Sequence, residues 1–141
     1  MSKFAAFMAQ NVCKIENRKV VISKRFKDEN GKPIEWEIRA IDSDENEDIQ
    51  RRATIRQPVF GQRGAYSSDM DKVKYGYLLA AASVVYPDLK DVELQDSYGV
   101  KTPEALLKKM LYPAEFGELL SQIGDLSDME DLGNAVEEAK N

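Results

Sequence analysis

Between Lys19 and Ile41 apolar and polar positions alternate with a period of two, and this stretch predicts a β-hairpin. In its second half Ile34, Trp36, Ile38 and Ala40 alternate with Glu35, Glu37 and Arg39, giving one apolar and one charged face. The first half sets Val20, Ile22 and Phe26 on one face, with Lys24 the lone intruder, and Val21, Ser23 and Arg25 opposite. Asp28 to Lys32 supplies the loop, where Asn30 and Gly31 tolerate positive φ. The expected register pairs Phe26 with Ile34, Ile22 with Ile38 and Val20 with Ala40, and it sets Arg25 opposite Glu35. A slip of one residue would mix the faces. Two strands alone are marginal in water, so the Trp36 face needs a cover and Trp36 is read as a core anchor.

After the hairpin the period lengthens to that of helices. Ser43 as N-cap, then Asp44, Glu45, Glu47 and Asp48, then Arg51, Arg52 and Arg56, predict a helix over 43–56 whose charges complement its dipole. Pro58 is expected to end it. Residues 57–67, with Gly61 and Gly64, read as a loop. Ser67 or Ser68 would cap the next helix, running to Tyr86, and its apolar surface (Val73, Tyr77, Leu78, Ala81, Val84, Val85) marks it as central and buried. Asp91 opens a short helix that Gly99 stops. Thr102-Pro103-Glu104 opens another, with Leu106, Leu107, Met110 and Leu111 as its buried stripe. From Pro113, Phe116, Leu119, Leu120 and Ile123 follow helical spacing, with Gly124 as the expected stop. The fold class is α+β, an N-terminal antiparallel β-hairpin packed against a C-terminal bundle of about four to five helices.

Charge divides the chain. Acidic and basic side chains balance over residues 1–124, so the net charge of −5 lies wholly in residues 125–141. We therefore read residues 1–17 as a flexible N-terminal segment, 18–124 as a single α+β domain and 125–141 as an acidic tail, helical or disordered. A neutral body with an acidic tail argues against nonspecific nucleic-acid binding. Met129, Leu132 and Val136 in that tail are the candidate partner-binding residues, because their spacing would let a short amphipathic helix enter a partner's groove. A frayed terminus is the competing reading.

Candidate chemistry is sparse. The chain has no histidine, which removes Ser-His-Asp and Cys-His schemes and the usual zinc sites. Its single cysteine, Cys13, excludes an internal disulfide and fits a reducing compartment. Asp42, Asp44 and Asn46 imitate the start of a calcium loop, but Glu47 stands where the loop needs glycine and Ala53 where it needs glutamate. They read as a helix N-terminus. Gly61-Gln62-Arg63-Gly64 has the spacing of some nucleic-acid-binding loops without their strand-and-helix frame. No phosphate-cradling motif occurs. The expectation is no enzyme: no catalytic, cofactor-binding or metal-binding residues. The longest apolar run, Leu78 to Tyr86, is too short for a membrane span, and the patch at Phe4 to Ala9 too short for a signal-peptide core. A cytoplasmic protein is expected.

Four strings carry a resemblance. KVVISKRFKDENGKPIEWEIRAI, LQDSYGV, PEALLKKML and YPAEF, in this order and spacing, are similar to the XkdN-like family of phage and prophage tail assembly chaperones, over roughly residues 8–124. The resemblance implies a noncatalytic chaperone in the host cytoplasm that binds the tape measure protein. It would assist tail tube protein in polymerising around that partner and be absent from the mature virion. It implies no cofactor, membrane or nucleic acid; a homo-oligomer remains open. The competing functions are a structural tail or connector subunit and, resting on Arg63 and its neighbours, a nucleic-acid-binding regulator.

Overall fold

In the computed structural model, which describes residues 2–127, a three-stranded antiparallel sheet packs on a set of helices and a separate two-stranded ribbon stands clear of the core. The class is α+β, as the patterning implies. β1 (Arg18–Val20) pairs with β2 (Trp36–Ile38), Val20 opposite Trp36 and Arg18 opposite Ile38. Toward the tip Ile34 donates its N–H to Phe26 O at 2.8 Å, the expected pairing. The two ends of the hairpin thus differ in register by four residues, and Val20 does not meet Ala40. The cause is Lys24: a lysine on the apolar face does not stay there, and the chain turns at Lys24-Arg25. An even shift preserves the faces, so Trp36 and Ile38 still point inward.

The other edge of β2 is taken by β5 (Val84–Tyr86), with Ile38 opposite Val84 and Glu37 opposite Tyr86. The helix expected to reach Tyr86 therefore ends at Ser83. Val84 and Val85 are β-branched and fit a strand better than a helix, and an open strand edge lies beside them. β2 is thus the central strand, with β1 and β5 as the two edges of this sheet.

α1 (Ser43–Ala53) is capped by Asp42, not Ser43: its carboxylate accepts the Glu45 N–H, and Glu45 reaches back to the Asp42 N–H. It ends three residues early because Thr54 opens β3 (Thr54–Pro58), which pairs with β4 (Tyr66–Met70). The stretch expected to be a loop, 57–67, keeps its turn at 59–65, and the two strands enter it only at its ends. α2 (Lys72–Ser83) follows, capped by Asp71. α3 (Val92–Ser97), capped by Asp91 and followed by Gly99 at φ +69, and α4 (Pro103–Met110), capped by Thr102, match the sequence signals. α5 (Pro113–Ser127) continues through Gly124, which is buried within the helix instead of ending it.

α2 is central and packs on α1, α4 and α5. Trp36 is only 1% exposed and lies among Ile38, Leu79, Leu106, Leu107, Leu119 and Ile123. The Tyr77 and Phe116 rings stack at 4.1 Å, joining α2 to α5. Tyr75 OH donates to Asn46, joining α2 to α1. Val73 and Val85, expected to face inward, are exposed.

Candidate functional site

The β3–β4 ribbon is the least buried part of the chain between α1 and α2. Every residue of both strands is exposed, so neither face packs on the body. It grows from the α1–α2 corner, where Asp71 donates its N–H to Ala53 O at 2.8 Å. The ladder runs Thr54–Met70, Ile55–Asp69, Arg56–Ser68, Gln57–Ser67 and Pro58–Tyr66. Side-chain alternation puts Thr54, Arg56, Pro58, Tyr66, Ser68 and Met70 on one face and Ile55, Gln57, Ser67 and Asp69 on the other. On the first face the Arg56 guanidinium lies 4.2 Å from the Tyr66 ring, a cation–π contact.

Gly61 and Gly64, both at φ +80, form the tip. Side chains other than glycine rarely adopt that geometry, so the G-x-x-G spacing belongs to a hairpin turn. Phe60 stands at this tip fully exposed, an apolar ring held in solvent. Sequence reasoning missed the ribbon. The signal available was the β-branched pair Thr54-Ile55 and the Tyr66 strand flanking a glycine-rich turn.

A second constellation fastens the first hairpin to the helices. Arg25 does not meet Glu35. Its Nη2 and Nε donate to Glu115 Oε1 and Oε2 at 2.6 and 3.0 Å, and Nη2 also donates to Met110 O at 2.7 Å. The guanidinium lies over the Tyr112 and Phe26 rings, at 4.7 and 5.0 Å. Hydrogen bonds from Arg25, helped by the Ser23 hydroxyl and the Tyr112 N–H, pull the Glu115 carboxyl from 4.5 down to about 2. A carboxylate held charged so far below neutral pH has no proton to give, and the pair acts as a clamp. Arg39 and Glu45 form a similar two-pronged pair, at 3.0 and 2.6 Å, between the end of β2 and the first turn of α1.

The remaining candidates resolve locally. Asp42 caps α1 and Asn46 accepts from Tyr75, so the residues imitating a calcium loop are engaged in the fold. Among the described residues no group of acids and Cys13 gathers into a metal site, and no helix is long and apolar enough to cross a membrane. Cys13 is exposed in the N-terminal segment, near exposed Phe4, Phe7, Val12 and Ile15 in sequence. Met129, Leu132 and Val136 lie outside the described residues.

Comparison with known proteins places this arrangement. The family described as phage XkdN-like tail assembly chaperone proteins matches residues 4–140. Protein XkdN of the phage-like element PBSX in Bacillus subtilis strain 168 is 30% identical over 137 residues, 96% of this chain and 91% of its own length. YqbN of the same strain is 28% identical over the same shares. The crystal structure of YqbN superposes with a TM-score of 0.76 at 22% identity, covering 92% of this chain and 98% of that one, and so has the same fold.

Proposed function

The chain belongs to the phage XkdN-like tail assembly chaperone family, and we propose that it binds the tape measure protein and keeps it soluble while tail tube subunits assemble around it. The family role is noncatalytic, so the chain needs surfaces that hold an apolar partner. The observation that carries this reading is the β3–β4 ribbon, rooted in α1 and α2, which displays Tyr66 and Met70 on one face, Ile55 on the other and Phe60 at the tip, all in solvent. Large apolar side chains exposed together mark interaction surfaces. Met129, Leu132 and Val136 in the acidic tail supply a second contact, suited to a helical partner with basic flanks. The chaperone works in the host cytoplasm and leaves before the particle is complete.

Co-expression with the tape measure protein of the same gene cluster tests the proposal. The expected result is a soluble, co-purifying complex. A tape measure protein that stays insoluble and elutes apart from the chain would end this reading. Abundant copies in purified particles would instead make it a structural tail subunit.

A further inference from the structure

We propose that two copies of this chain pair through the outer edge of β4, about a two-fold axis at Ser68, to form a four-stranded antiparallel arm. The starting point is the direction of backbone groups. In an antiparallel ladder the N–H and C=O of one residue point to the same side, and successive residues alternate. Asp71 donates to Ala53 O at 2.8 Å and Val59 donates to Ala65 O at 3.0 Å, so 53–71 and 59–65 are hydrogen-bonded pairs. Between them the bonded pairs are Ile55–Asp69 and Gln57–Ser67. The backbone groups of Tyr66, Ser68 and Met70 on β4, and of Thr54, Arg56 and Pro58 on β3, therefore point away from the ribbon.

These two edges are not equivalent. On β3, Pro58 has no N–H to give, and a two-fold axis at Arg56 would oppose two guanidinium groups. The β4 edge offers three residues with both donor and acceptor. With the axis at Ser68, Tyr66 of each copy faces Met70 of the other, ring against thioether, and Ser67 faces Asp69. All three outward residues pair and no like charges meet. An axis at Asp69 would set carboxylate against carboxylate, and one at Ser67 would leave Met70 opposite Gly64 in the turn. The edge is self-complementary in one register, as an isologous interface requires.

The same overlap carries each tip past the root of the other arm. There Phe60, fully exposed, arrives beside the first turn of the second copy's α2, where Val73 is 66% exposed. A two-stranded ribbon with both faces in water is marginal, and pairing joins each ribbon to two further strands. An uncovered edge is also a template for another strand, and β4 carries no lysine or proline to discourage it. The Tyr66 faces stay open in the pair, so the inference stands whichever client the chain holds.

Sedimentation of the full chain from about 5 to 500 µM tests it, with dimers dissociating on dilution as the expected result. Ser68→Pro removes an N–H that points outward, so the β3–β4 ladder survives; it should weaken the dimer at least about tenfold with unchanged circular dichroism. Gln57→Ala, on β3 and on the face away from Tyr66, should leave the dimer intact. Hydrogen exchange of the unmodified chain gives a second measure: the Tyr66, Ser68 and Met70 amides should slow as concentration rises. A monomer throughout the range, a dimer indifferent to both Ser68→Pro and Tyr66→Lys, or fast exchange at those amides at every concentration would overturn the proposal.

Discussion

Glu115, at the start of α5, takes two hydrogen bonds from Arg25, 90 residues earlier in the chain, and so fastens the tip of the first hairpin to the α4–α5 corner. The bond makes stability depend on acid. With its pKa lowered from 4.5 to about 2 by Arg25, the folded Glu115 binds fewer protons than the unfolded one within that window. The stability this pair contributes is therefore fully present above about pH 4.5 and is lost as pH drops toward 2. Glu45, lowered by its bond to Arg39, acts in the same direction. Urea midpoints measured along this acid limb should decline less steeply in Glu115→Gln than in the parent, and least in the double variant with Glu45→Gln. Parallel slopes would remove Glu115 as the cause.

Trp36 anchors the core from β2. Trp36→Ala removes the largest fully buried side chain and should cost about 3–5 kcal/mol in chemical denaturation, against about 0.5–1.5 kcal/mol for Ile38→Val. A loss below 1 kcal/mol at Trp36 would mean that the surrounding helices close the cavity.

How much of this was legible depended on the range of the interactions. Trp36 and Ile38 announced their face by alternation, and Asp91, Gly99, Thr102 and Pro103 marked helix ends through chemistry within a few residues. β5 was not legible, because Val84 to Tyr86 is a strand only by virtue of β2 lying alongside, more than 40 positions earlier. The ribbon escaped for the opposite reason. Arg56, Gln57, Ser67 and Ser68 are exposed on both faces, so no apolar alternation records them. Arg25 was assigned to Glu35 across the hairpin because spacing within an element is readable, while its true partner Glu115 belongs to another element.

Asp42, not Ser43, should carry the cap of α1. Asp42→Ala removes the acceptor for the Glu45 N–H at 2.8 Å and should destabilise by about 0.5–2 kcal/mol, with Ser43→Ala nearly neutral. Equal losses at both positions would contradict this geometry.

Gly76 sits inside α2 with only Leu120 near its missing side chain, at 3.7 Å from where a Cβ would stand. That is ordinary contact, so Gly76→Ala should raise stability by about 0.4–1 kcal/mol through a less entropic unfolded chain. A lower thermal midpoint would show that Leu120 cannot accommodate the methyl.

Phe60 separates folding from capture. Its ring is fully exposed at the ribbon tip, so Phe60→Ser should change stability by no more than about 0.5 kcal/mol. The same variant removes the most prominent apolar group of the proposed client surface. In co-expression it should recover less soluble tape measure protein than the parent chain at equal chaperone level. Leu119→Ala supplies the contrast: that side chain is fully buried, its loss costs about 2–5 kcal/mol, and any drop in capture should track the amount of folded chaperone. If Phe60→Ser captures the client as well as the parent does, the tip is not a contact, and the client surface must be sought on the faces of the ribbon or at Met129, Leu132 and Val136 of the acidic tail.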